Sequence, residues 1–236
     1  MREEGADHPE GGLLTGDRIA AVLREDIFAG RLLPGTRLKD AELAARFNVS
    51  RNTVRDAVRH LGADGLVTAR LNAGSAVRRL SEDDARDIYS IRRVLETSGI
   101  EASSRVPREA LATVTRALDE ADRAVQEERW GDLSTASLQF HRALVALNGS
   151  ARLNDFFGVI LAQLRLVFAV MPDESAFQLR WIDRDQDIAA MVASGRRREA
   201  TAALTSYLSE SESLIIDAIR ASEAGLPPAH TPIIAP

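Results

Sequence analysis

The stretch "NVSRNTVRDAVRHL" (residues 48–61) decides how the first third of this 236-residue chain is read. Val54, Ala57, Val58 and Leu61 follow the i, i+3, i+4, i+7 spacing of an inward-packing helical stripe. Arg51, Arg55 and Arg59 recur every four residues as a separate basic row, with Asn52 beside it. Ser50 is a good N-cap, which places Arg51 and Asn52 at the helix start. A solvated charged face would show the same row, so the flanking residues have to discriminate.

Upstream, "LLTGDRIAAVLREDIFAG" (13–30) carries Ile19, Val22, Leu23 and Ile27 at helical spacing and stops at Gly30. Pro34-Gly35 is a strong breaker pair. Asp40 is then expected to cap a short helix, "AELAARF" (41–47), whose Leu43, Ala44 and Phe47 point one way. A short helix, the tight connection "NVS" and a second amphipathic helix predict a helix-turn-helix. After Gly65, "LVTAR" and "AVRRL" read as a two-stranded ribbon with Asn72 and Gly74 at its tip. The expected fold is therefore mainly α, opening with a winged helix-turn-helix.

Charge supports that division. The whole chain is acidic, with a net charge of −5, yet residues 13–80 hold 12 Lys and Arg against 7 Asp and Glu. A basic module joined to a larger acidic body suits a polyanion partner for the first part only. The absence of cysteine excludes disulfides, thiolate metal sites and cysteine nucleophiles, and fits a cytoplasmic location. No apolar run approaches the ~18 residues of a membrane span, and the acidic N-terminus lacks signal-peptide features, so no membrane partner is expected.

The stretch "PGTRLKDAELAARFNVSRNTVRDAVRHLGADGLVTARLNAGSAV" (34–77) resembles the DNA-binding domain of GntR-type bacterial transcription regulators. The resemblance covers roughly residues 13–80 and implies a double-stranded DNA operator as partner. It places Ser50, Arg51, Asn52, Thr53 and Arg55 at the DNA-facing start of the recognition helix, with Arg51 and Arg55 as base readers or phosphate clamps. Arg37, Arg59 and Arg70 are implied phosphate contacts, and Gly74 would let the wing approach the minor groove. One departure stands out: the family commonly has arginine just before Glu-Leu-Ala, where this chain has Ala41.

Residues 81–222 read as nearly continuous helix, with expected segments 82–104, 108–128, 131–147, 151–170, 175–194 and 197–222. Six helices with short connections predict an all-α antiparallel bundle. Residues 1–12 and the Pro-rich 223–236 read as disordered tails. The bundle resembles the FCD effector domain through "IRRVLE" (91–96), "FHRALVALNGSARL" (140–153) and "AAMVASGRRREATAA" (189–203). Six helices place it near the VanR-like branch of the FadR-type regulators. Many members bind a divalent metal through an Asp, a His four residues later and two later His. Laid on this chain, those positions hold Ser137, His141, Asp185 and Tyr207. No metal and no other cofactor is therefore expected; the alternative is a weaker metal-dependent site built on His141 and Asp185. Arg92 lies where the family often keeps a cavity-facing arginine; it is expected either to bind a carboxylate effector or to pair with Glu96 at i+4.

The resulting expectation is a homodimeric, ligand-responsive transcription regulator, with repressor the default sign. Its effector site would use Arg92, Ser137, His141, Asp185 and Tyr207. An enzyme is not expected, because no Ser-His-Asp order, phosphate-cradling glycine loop or paired-histidine motif is present. The remaining alternative is a DNA-binding dimer whose bundle has degenerated and senses nothing.

Overall fold

The computed structural model describes residues 15–70, 74–168, 171 and 173–224, with the Arg70 side chain outside that set. Helix α1 (Gly16–Phe28) begins at Thr15, whose hydroxyl accepts from the Arg18 N–H at 3.4 Å, and it buries Ile19, Leu23 and Ile27. Helix α2 (Asp40–Phe47) is joined to α3 (Arg51–Ala63) through Asn48, at φ 52°, a left-handed conformation that asparagine tolerates better than most residues. Ser50 caps α3 as its sequence predicts, accepting from the Thr53 N–H at 3.1 Å. The stripe Val54, Ala57, Val58 and Leu61 is buried and packs toward α1.

Two local expectations need correcting. Asp40 is not the cap of α2: Lys39 takes the N-cap position without a side-chain bond, and Asp40 is the first helical residue, its carboxylate turned to Arg55. The ribbon is also not two-stranded. β2 (Val67–Arg70) and β3 (Gly74–Val77) form the expected antiparallel pair, and β1 (Arg37–Leu38) adds a third strand on β3, giving the order β1-β3-β2. A two-residue strand is too short to carry an alternation signal. The expected tip residue Asn72 lies outside the described residues.

Six helices follow among the described residues: α4 (Glu82–Ala102), α5 (Arg108–Gln126), α6 (Trp130–Ala146), α7 (Ala151–Phe168), α8 (Glu174–Ala193) and α9 (Arg197–Glu223). Each starts within a residue of its expected position. The first ends early, in a 3-10 turn over Ser103–Arg105, and the last runs past the boundary placed at 222. The tail expected at 1–12 lies outside the described residues, as does that expected at 223–236 except for its first two residues, of which Glu223 still belongs to α9. A capping box between Ser81 and Asp84 starts α4. The Ser150 hydroxyl accepts from the Leu153 N–H at 3.4 Å at the start of α7. α4 and α9 run antiparallel, because Arg220 reaches Glu82 at one end (2.8 Å) while Arg197 donates to Ser103 at the other (3.0 Å).

The two parts share one continuous apolar core, which includes Leu23 and Phe28 of α1 and Phe157 and Leu161 of α7. α1 lies on α7, and Gln163 on α7 donates to the Asp64 carbonyl just after α3 at 2.6 Å. The winged module thus rests on the same helix that packs against α6 of the bundle. Among the described residues no helix is long and apolar enough to cross a membrane.

Candidate functional site

The first candidate surface gathers α3, the start of α2 and the wing. The cap at Ser50 leaves Ser50, Arg51 and Asn52 exposed and Thr53 half-buried at the amino end of α3. Arg55 and Arg59 follow on the exposed face, and Arg37 projects from β1. A groove of about 930 Å3 runs between α3 and the sheet, lined by Arg37, Lys39, Asp40, Arg55, Arg59 and Gly74. Its arginines differ in their restraint. No ion pair engages Arg51 among the described residues, whereas Arg55 Nε donates to Asp40 Oδ2 at 2.8 Å and Arg59 Nη2 to Asp56 Oδ1 at 2.5 Å. Gly74 opens β3 at φ +76° with open space around it, a backbone state that side chains resist. The structure gathers Arg37, Arg55, Arg59 and Gly74 along one groove and places Ser50, Arg51, Asn52 and Thr53 at the amino end of the same helix; Arg70 contributes its backbone to β2, and its side chain lies outside the described set.

The second candidate site is buried where α4, α6, α8 and α9 meet. Arg92, Ser137, His141, Asp185 and Tyr207 are each at least nine-tenths buried and converge as the sequence predicts. Arg92 Nε donates to Glu96 Oε1 at 2.7 Å, the pairing that α-helical i, i+4 spacing favours. The other Glu96 oxygen lies 2.7 Å from His141 Nδ1, and His141 Nε2 lies 3.1 Å from the Tyr207 hydroxyl. Ser137 donates to Asp185 Oδ2 at 3.2 Å. Tyr89 stacks beneath Arg92, with the guanidinium carbon 4.9 Å from its ring centre, and its hydroxyl meets Ser211 at 2.5 Å.

Burial sets the charge state of this cluster. Desolvation pushes the Asp185 carboxyl well above the usual carboxylate range, only partly opposed by the Ser137 hydrogen bond. Desolvation would raise Glu96 too, but the Arg92 charge and the hydrogen bond from His141 outweigh it and hold that carboxyl below its ordinary value. Burial lowers the His141 imidazole despite Glu96. Burial, with Asp185 nearby, lifts the Tyr207 phenol. One ion pair, Arg92–Glu96, is thus retained inside a site whose other groups are biased to neutrality.

The cluster is incompletely satisfied. Arg92 Nη2, Asp185 Oδ1, Trp181 Nε1 and Gln178 Nε2 are buried without a hydrogen-bond partner among the described residues. Such groups cost about 1–3 kcal/mol each unless something pairs with them. Gln178, Trp181 and Glu96 were not selected from the sequence as site residues. Residues 178, 181 and 185 share one face of α8 at helical spacing, and that period was the available signal. A divalent metal does not fit: both His141 nitrogens are engaged by Glu96 and Tyr207, Ser137 and Tyr207 are poor ligands, and no group of three His, Cys, Asp or Glu is disposed to hold an ion among the described residues.

Comparison with known proteins agrees with this division. Residues 15–77 match the model for bacterial regulatory proteins of the gntR family, and residues 87–210 match the FCD domain. The crystal structure of a transcriptional regulator GntR from Rhodococcus sp. RHA1 is 35% identical, with a TM-score of 0.80 over 86% of this chain and 97% of that one. The Nta operon transcriptional regulator of Aminobacter aminovorans is 28% identical over 79% of this chain and 88% of its own. The gluconate operon transcriptional repressor of Bacillus licheniformis is 30% identical over 56% of this chain, which spans 54% of that relative's length. A winged helix-turn-helix joined to an FCD bundle is the domain pair these matches describe: the chain belongs to the GntR family, as a FadR-type regulator of transcription.

Proposed function

We propose that this protein is a dimeric repressor released from its operator by a small hydroxylated carboxylate bound in the helical bundle. The observation that carries the ligand reading is the set of orphaned polar atoms. Arg92 Nη2, Trp181 Nε1 and Gln178 Nε2 are donors, and Asp185 Oδ1 asks for a donor or carries the proton itself. A carboxylate on the guanidinium, with hydroxyls toward α8, complements that pattern. A relative named for repressing a gluconate operon makes gluconate a natural member of the test panel. On the DNA side, Arg51 and Arg55 read bases from the start of α3. Ser50, Asn52 and Thr53 flank them, Arg37, Arg59 and Arg70 clamp phosphate, and Gly74 brings the wing to the minor groove.

The linkage is structural. The candidate ligand touches groups of α4, α6 and α8, and the reader module rests on α7, which packs against α6. A ligand that prefers one bundle arrangement then shifts the spacing of two readers and the affinity for paired half-sites. The test is a thermal-shift panel of small carboxylates, gluconate included, on the full chain in chelator. One or more hydroxylated acids should raise Tm in wild type, leave Arg92→Lys and Arg92→Met unmoved, and dissociate the operator complex. A panel in which only metal-supplemented samples respond would overturn the ligand reading.

A further inference from the structure

The groove between α3 and the wing holds an acid where a DNA-binding surface would be expected to exclude one. Asp40 lines it together with Arg37, Lys39, Arg55 and Arg59. A carboxylate facing a polyanion weakens attraction, so its presence needs another reason. Capping is not that reason. Asp40 lies in the first turn of α2, where it could serve the free N–H groups, yet its Oδ2 crosses to α3 and accepts from Arg55 Nε at 2.8 Å. Stability is a weak reason as well, since the Arg55 side chain is 63% exposed and an exposed pair contributes little.

The geometry of the contact matters more. Asp40 engages Arg55 through Nε, which leaves the outer Nη1/Nη2 edge of the guanidinium available. Two parallel N–H groups are what the O6 and N7 atoms of guanine accept in the major groove. A free arginine chain would have to freeze several torsions on binding, and a carboxylate gripping Nε restrains them beforehand. The neighbouring arginines lack such an anchor. Arg59 pairs with Asp56 on its own helix, and no ion pair engages Arg51 among the described residues. Arg55 alone of the three is tied to a second element.

We propose that Asp40 is a positioning residue that aims Arg55 at one base pair, setting operator specificity while reducing general affinity for DNA. This rests on the reading of Arg55 as a base contact, and the experiment separates the two. Wild-type protein and the Arg55→Ala, Asp40→Ala and Asp40→Asn variants, full-length, are each used to select binding sites from a random duplex library. The selected consensus and a scrambled duplex are then titrated. Arg55→Ala should abolish base preference at one position of each half-site. Asp40→Ala should lose roughly tenfold of the preference at that same position only, while binding scrambled duplex at least about twofold tighter. Asp40→Asn, which keeps an oxygen acceptor, should recover part of the preference but keep the tighter scrambled binding. Unchanged preference at the Arg55 position in Asp40→Ala would overturn the positioning role, as would a uniform loss at every position, the mark of a disturbed α2–α3 contact. Unchanged preference in Arg55→Ala would remove the base-reading premise and the proposal with it.

Discussion

Asp185 shows what a single residue decides. It is 2% exposed, and its Oδ1 lies 3.9 Å from His141 Nε2 and has no hydrogen-bond partner among the described residues. Because its folded pKa is raised, the proton is held more tightly by the native state. The associated stability is complete below the unfolded value of about 3.9 and is lost as pH rises through the folded value. Asp185→Asn keeps an acceptor for Ser137 and cannot ionise. It should therefore unfold at higher urea than wild type at neutral and alkaline pH, by about 1–3 kcal/mol, with the difference closing toward pH 4. Unfolding midpoints across that range check it, and a pH-independent difference would contradict the assignment. Glu96 works in the opposite sense: its lowered pKa gives stability present above the unfolded carboxylate value and lost in acid. Glu96→Gln strands the Arg92 charge and should cost about 3–5 kcal/mol at pH 7, read from the same titrations.

At the scale of elements, the site depends on how closely α4 approaches α6. Gly99 lies at that crossing, and a Cβ added there would stand 2.0 Å from the Leu144 carbonyl oxygen, which is backbone and cannot rotate away. The Glu96–His141 contact bridges the same pair of helices at 2.7 Å, one turn from the crossing. Gly99→Ala should destabilise the fold by about 1–3 kcal/mol or more by forcing the helices apart. Gly131 in the first turn of α6 has nothing within 4 Å. Gly131→Ala should then be neutral or stabilising by up to about 1 kcal/mol. Denaturant melts of the two alanine variants give the comparison, and equal effects would show that the crossing is looser than it stands here.

Over the whole molecule, a polar chain joins the bundle to the reader. Glu174, at the start of α8, accepts from Ser134 on α6 and from Arg165 Nη2 on α7. The Arg165 guanidinium lies against Gly30 at the end of α1, so close that a Cβ there would stand 2.6 Å from Nη2. Two of the four helices that carry the candidate ligand site, α6 and α8, are thereby tied to the base of the winged module. Effector and operator should weaken each other's binding by the same factor, as linkage requires, and Arg165→Met should shrink both factors together. Operator titrations with and without effector, matched by effector titrations with and without operator, test this; unequal factors would break the linkage account. Metal analysis belongs to the same scale. Protein purified from metal-replete medium should carry far less than one transition-metal ion per subunit, because His141 is already engaged on both nitrogens. A stoichiometric ion bound through His141 would contradict that reading.

What the sequence by itself determined was local. The Val54, Ala57, Val58, Leu61 stripe, the Ser50 cap and the starts of the six bundle helices depend on periodicity and on hydrogen bonds within a few residues. Arg92, Ser137, His141, Asp185 and Tyr207 were also legible, because the FCD resemblance fixes their positions along the helices. Only the tertiary structure decided what those residues meet. Glu96 reaches His141 across 45 residues, and Gln178 and Trp181 join Asp185 on a face of α8 that becomes inward only when neighbouring helices such as α6 and α9 cover it. The two-residue strand β1 exists because β3 offers it a ladder. Asp40 looked like a cap because its neighbours in sequence suggest one. Its carboxylate turns instead to Arg55, fifteen residues on, because the turn between α2 and α3 folds that guanidinium within hydrogen-bond reach. Caps and stripes are written in adjacent residues, whereas a partner on another helix depends on the rotation and crossing of both, which neither segment specifies alone.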